Sequence, residues 1–199
     1  MDPIKFREIK KEIRIIGVDD SPFIPRTEGT TRVFGVVFRG RLWIEGVLQT
    51  IIKIDGFDAT QKISEMITSS PHHGQLRVIM LAGITFGGFN IVDINKLFER
   101  TQLPIIVVCE KEPDLQSIKI AIEHLSDWEK RWEIIQNTGP IYKYHTKEDV
   151  KNPVFFQIKG LELKDAQQIL KISAGVSHIP EPLRVAHLIG RSFLNVSKI

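Results

Sequence analysis

The spacing of apolar residues changes repeatedly along the chain, and each change marks an element. Ile13-Arg14-Ile15-Ile16-Gly17-Val18-Asp19 is a short apolar run ending in an acid, the pattern of a buried strand emerging at a sheet edge. Thr31–Phe38 and Leu42–Ile54 are β-branched-rich runs joined by Arg39-Gly40-Arg41, which predicts a hairpin with a bulge at Gly46. Ile63, Met66 and Ile67 recur at helical spacing within Asp58–Ser69, with Asp58 or Thr60 as the cap. Arg77–Leu81 reads as a strand buried on both faces, and Pro104–Val108 as another. Ile91, Ile94, Leu97 and Phe98 share one side of a helix over Ile91–Arg100. Further helices are predicted over Leu115–Leu125, Trp128–Gln136, Leu163–Ile172 and Pro182–Leu194, with a short charged one at Phe6–Lys11. Pro22–Thr30 is a polar loop, and Lys143–Lys159 is a β-rich hairpin-like segment.

The first three strands have short connections and form a meander. A right-handed crossover through the Asp58 helix returns the fourth strand beside the first, and the fifth continues outward. The expectation is one α/β domain over residues 1–199. Its mixed five-stranded sheet, in order 3-2-1-4-5, is flanked by helices and followed by β-rich and helical additions. That is the ribonuclease H-like arrangement.

Composition narrows this little. The chain has 199 residues, 42% hydrophobic and 26% charged, ordinary for a soluble globular protein. No apolar run is long enough to cross a bilayer, so no membrane partner is expected. Met1-Asp2-Pro3-Ile4-Lys5 leads into charged residues and does not resemble a signal peptide. Cys109 is the single cysteine, which excludes an internal disulfide and favours the cytoplasm. The net charge of +3 is compatible with nucleic acid without pointing to it.

The topology places the carboxyl ends of strands one, three, four and five on one edge. Asp19-Asp20, Asp55, Ala82 and Glu110 fall there, with Asp93 nearby. In α/β proteins that edge is where ligands sit. Adjacent carboxylates repel unless a cation or donor is close. Asp19 and Asp55 are separated by the second strand, roughly 10 Å between axes. Hard cations take oxygen ligands, often one or two carboxylates plus substrate phosphates. The alternative is a polar strand exit at Asp19-Asp20 and a turn with an N-cap at Asp55 and Asp58.

Several segments then resemble a known group. Gly17-Val18-Asp19 resembles the first-strand motif of endonuclease V. Ile54-Asp55-Gly56 is similar to that family's third-strand Arg-Glu-Gly, with Asp in place of Glu. Leu81-Ala82-Gly83-Ile84 falls where that family has a third acid, in an Asp-Gly motif. A closer resemblance is to an archaeal family, endonuclease dU, described as uracil-directed. It is carried by Gly17-Val18-Asp19-Asp20-Ser21-Pro22-Phe23, Asp55-Gly56-Phe57-Asp58-Ala59-Thr60, Gly83-Ile84-Thr85-Phe86-Gly87-Gly88-Phe89-Asn90 and Pro180-Glu181-Pro182-Leu183-Arg184-Val185-Ala186-His187. The resemblance implies a ribonuclease H-like endonuclease that cuts deaminated DNA with Mg²⁺ or Mn²⁺. Asp19 and Asp55 would hold the metal, and Asp20 would orient water or supply a ligand. Ala82 cannot bind metal. The site then holds one ion weakly, recruits Asp20, or has become a non-catalytic nucleic-acid-binding relative.

Other features have ordinary alternatives. Gly83–Gly88 could cradle phosphate or simply pack tightly. His72-His73 lacks metal-ligand spacing, and Trp128 and Trp132 fit packing. Arg184, His187 and Arg191 share a face of the last helix, opposite Leu183, Ala186 and Leu194. The basic stripe is either a DNA-phosphate contact or a solvated surface.

Overall fold

The sheet follows the predicted order across its first five long strands and then continues past it. The computed structural model describes residues 3–25, 27–148 and 151–193. Its elements are β1 (Arg14–Asp20), β2 (Thr30–Arg39), β3 (Trp43–Lys53), α1 (Ala59–Thr68), β4 (Val78–Ala82), β5 (Thr85–Phe86) and β6 (Asn90–Ile91). They continue with α2 (Ile94–Thr101), β7 (Ile105–Cys109), α3 (Leu115–Ile122), α4 (Trp128–Gln136), β8 (Tyr142–Tyr144), β9 (Val154–Lys159), α5 (Leu163–Ser173) and α6 (Glu181–Ser192). Among the described residues the main sheet has seven strands, ordered β3-β2-β1-β4-β7-β9-β8. The β-rich segment expected as a hairpin is thus the far edge of this sheet, with β9 antiparallel to both β7 and β8.

The centre of the sheet is apolar on both faces. Ile16, Val18, Ile79 and Leu81 pack under α1 and α2, and Ile15, Val78 and Met80 pack under α5 and α6. Each such fully buried side chain contributes about 1.5–3 kcal/mol. α6 lies directly across β1 because Gly17 has no side chain. A Cβ there would sit 2.3 Å from the backbone carbon of Pro182.

Four local expectations are corrected. Residues 6–11 are not helical. Six residues cannot offset the cost of starting a helix, and Phe6 and Ile9 instead pack on the α5 side of the sheet. The second predicted helix begins at Ile94, because Ile91 pairs with Thr85 in the small β5–β6 hairpin. Asp93 supplies its cap, accepting from the amides of Asn95 (3.0 Å) and Lys96 (3.1 Å). At α1 neither Asp58 nor Thr60 caps with its side chain. The Ala59 amide donates to Asn90 Oδ1 at 2.9 Å, while Asp58 Oδ1 accepts from Asn90 Nδ2 at 2.7 Å. The bulge falls beside Gly46. Val37 faces Gly46 and Phe38 faces Ile44, leaving Glu45 as the extra residue, with its carboxylate on Arg14. The predicted end of the last helix, Leu194, lies outside the described residues.

Candidate active site

β1 carries Asp19 and Asp20 to the edge, and the pleat turns them to opposite faces of the sheet. Asp19 faces α6 and is only 8% exposed. Its Oδ2 lies 2.9 Å from His187 Nδ1, and its Oδ1 accepts from the Asp20 amide at 2.9 Å. Burial pushes the Asp19 carboxyl up to about 6, and the charge of Asp20 pushes the same way. The bonds from His187 and the Asp20 amide only partly oppose this. Asp20 faces the α1 side. Its Oδ2 accepts from the Gly87 amide at 2.5 Å. Burial raises its carboxyl above the usual range, opposed by that same amide.

Asp55 leaves β3 with a left-handed backbone, φ 52°. Its amide donates to the Gly87 carbonyl (2.8 Å) and its Oδ1 accepts from the Phe89 amide (2.7 Å). Gly88 lies against this carboxylate at φ +87°, where a Cβ would come within 2.3 Å of Asp55 Oδ1. One turn, residues 87–89, therefore holds both Asp20 and Asp55. The glycine-rich loop spends its Gly87 and Phe89 amides on these two acids. Arg131 of α4 reaches the same place. It is 2% exposed and donates to the carbonyls of Asp55 (2.7 Å), Gly56 (3.0 Å) and Phe89.

A cleft of about 620 Å³ opens over the α6 side of the edge, lined by Asp19, Ala82, Thr85, Cys109, Arg184 and His187 among others. Ala82 ends β4 there and brings no oxygen ligand. The Cys109 thiol is pushed up by burial, which keeps it protonated. Arg184 pairs with Glu181 through Nε (2.9 Å) and Nη2 (2.7 Å). Glu181 is 4% exposed and also accepts from the Val176 amide. Two of the three stripe residues, Arg184 and His187, thus already have carboxylate partners in the cleft wall. Arg191 is exposed further along α6. His73 Nε2 meets the Thr101 carbonyl at 3.1 Å, and Trp128 and Trp132 pack on Ile91 and Ile122, so these features are architectural.

Among the described residues, no three His, Cys, Asp or Glu side chains gather closely enough to hold a metal ion by themselves. The donor chemistry still suits a hard cation. Asp19 and Asp20 are carboxylates raised chiefly by burial, and a cation beside either would favour its charged form. One or two carboxylates suffice when waters and phosphate oxygens complete the shell. Arg131 was missed from the sequence because its i,i+4 partner Asp127 makes it look like an ordinary helix-surface ion pair. Glu181 was missed because it sits inside Pro-Glu-Pro at a helix start.

A mixed sheet that delivers acids to its edge, with a late helix laid over the first strand, is the ribonuclease H-like fold. Solved endonuclease V structures share it. That of Ciona intestinalis, in complex with a DNA containing an inosine followed by a ribo-adenosine, has a TM-score of 0.61 at 14% identity, covering 94% of this chain and 87% of the other. More narrowly, the chain belongs to the endonuclease dU family, whose profile it matches over residues 11–194. A UPF0215 protein of Methanothermobacter thermautotrophicus is 52% identical over 190 residues, 95% of this chain and 91% of the relative. A solved protein of Archaeoglobus fulgidus is 35% identical with a TM-score of 0.81, covering 91% of this chain and 98% of the other. No helix among the described residues is long and apolar enough to cross a membrane.

Proposed function

We propose that this protein is a metal-dependent endonuclease that hydrolyses a phosphodiester of DNA beside a deaminated base, with uracil as the target. The observation that carries this reading is Asp19: a buried acid facing an open cleft, with a raised carboxyl and a histidine on its outer oxygen. Family membership and the endonuclease V-like fold support it.

Asp19 would hold Mg²⁺ or Mn²⁺ from the cleft side, and Asp20 and Asp55, tied to the 87–89 turn on the other face, would reach the ion only around the strand end. When bound, such an ion activates water and stabilises charge developing on phosphate. The rest falls to the chain. His187 donating from Nδ1 to Asp19 leaves Nε2 as the nitrogen that takes or gives a proton. Its side chain is 55% exposed and lines the cleft. Arg184 is held by Glu181 on the same wall with its charge already paired, which leaves the exposed Arg191 as the freer cation for a strand backbone.

A second reading is a non-catalytic DNA-binding relative. Ala82 favours it, as does the engagement of Asp20 and Asp55 with the 87–89 turn. One experiment separates the two. The protein is incubated with uracil-containing, inosine-containing and unmodified DNA, each with Mg²⁺, Mn²⁺ or chelator. Cleavage confined to uracil DNA and abolished by chelator supports the nuclease. Binding without cleavage under every metal supports the relative.

A further inference from the structure

Arg131 makes contacts that α4 alone does not require. Its guanidinium bonds three backbone carbonyls from two separate segments. Asp55 and Gly56 belong to the exit of β3, and Phe89 to the turn between β5 and β6. Nε is paired with Asp127 at 2.9 Å, and the Phe57 ring lies 4.1 Å from the guanidinium carbon. A buried guanidinium persists only when its donors are satisfied, and here backbone carbonyls of the acid-bearing loops satisfy most of them.

The two segments are the ones that set the acids. Asp55 lies in the first, in a left-handed conformation that is unfavourable for a residue with a Cβ. The second supplies the amides that bind Asp20 and Asp55. We propose that Arg131 is a positioning residue for the site. It clamps the β3 exit onto the 87–89 turn and so fixes the direction of the Asp55 and Asp20 carboxylates. This inference rests on the nuclease reading for its effect on metal and cleavage. Arg131 itself touches no substrate, being buried behind the turn.

The test compares Arg131→Lys, which keeps the charge and loses the fork, with Arg131→Met, Asp55→Asn and the double variant Arg131→Met/Asp55→Asn. Mn²⁺ binding is measured by direct titration without DNA, beside thermal melting, cleavage of uracil DNA, and hydrogen exchange at the Gly87 and Phe89 amides. Arg131→Lys should weaken Mn²⁺ binding by no more than roughly 10-fold, the low end of the cost of losing a group bonded directly to a ligand, because Arg131 reaches the carboxylates only through the backbone. Excess Mn²⁺ should restore part of its cleavage. In the double variant the loss of Arg131 should add less than its full single-variant effect, because part of that effect runs through the Asp55 carboxylate. The Gly87 and Phe89 amides should exchange faster in Arg131→Lys. A lower melting temperature with unchanged Mn²⁺ affinity overturns the proposal, as do independent, multiplying effects of the two substitutions. If Arg131→Met does not fold, the lysine variant decides. If the unmodified protein neither binds Mn²⁺ nor cuts DNA, the nuclease reading fails separately. The clamp is then judged by exchange alone: faster exchange supports it and unchanged exchange overturns it.

Discussion

Asp19 and Asp20 are chain neighbours with the same side chain, yet the sheet gives them different environments. Asp19 turns to the α6 side, where a cleft is open and the partner is an ionisable histidine. Asp20 turns to the α1 side, where its partner is a fixed backbone amide in a glycine turn. A histidine can exchange protons near neutral pH and a backbone amide cannot. The pleat therefore opens one acid to the cleft and ties the other to the loop. Asp55 belongs with Asp20 in this division, since its carboxylate is also held by the turn.

The largest effect should come from Asp19→Asn, which keeps the side chain's shape and removes its charge. Cleavage of uracil DNA should fall about 10²–10⁴-fold, the range that a positioned acid–base partner supplies. Stability should move the other way. A carboxyl that titrates higher in the fold than in the unfolded chain stabilises the fold only while protonated. For Asp19 that contribution is full below about pH 4 and is lost as the pH rises through about 6. The melting temperature of Asp19→Asn should therefore match the parent at pH 4 and exceed it at pH 8 without metal, by at most roughly 3 kcal/mol of stability.

Asp20→Ala should show the opposite balance. It strands the Gly87 amide, and the loss of stability should be about 1–3 kcal/mol by denaturant melts at low pH, less at neutral pH, where removing a buried charge offsets it. Its cleavage defect should be smaller than that of Asp19→Asn. Equal defects at both positions would erase the division between the faces. Ala82→Asp adds a hard oxygen ligand to the Asp19 side of the edge, beside the cleft. It should tighten Mg²⁺ binding and raise cleavage, and it should lower the melting temperature without metal because it adds a third negative charge. Unchanged Mg²⁺ affinity would remove the cleft as the metal-binding face. The smallest effect concerns the basic stripe. Replacing Arg184 and Arg191 together by Ala should flatten the dependence of log DNA affinity on log salt by about one to two units. Arg191→Ala alone should account for much of this change, since Arg184 already neutralises Glu181.

The five neighbouring strands from β3 to β7 and their edge acids were legible because long-range order there follows from local pattern. Runs such as Val78–Leu81 are apolar on both faces, and short connections left few ways to arrange them. The Asp19 position followed at once. What escaped needed partners far along the chain. β9 joins β7 through pairing of residues about fifty apart, such as Val107 with Gln157, and no local signal separates that from a free hairpin. Ile91 has the spacing of a helix face, yet the Asp93 cap starts the helix after it. His187 was legible as part of a stripe but not as the partner of an acid 168 residues earlier. The Asp20–Gly87 bond depends on a left-handed glycine turn whose shape the residues only permit. Arg131 carried a helix-pair signature that concealed its three carbonyls.

The central claim is that Asp19, buried but lining the cleft, is the acid a cation would meet. Its carboxyl can be titrated directly by carbon-13 NMR, with the Asp19→Asn variant assigning the signal. Without metal the midpoint should lie near 6. With saturating Mg²⁺ it should fall by a unit or more, since an ion on the carboxylate competes with the proton. A midpoint near the ordinary 3.8 that Mg²⁺ does not move would contradict the assignment of Asp19 as the chemical centre.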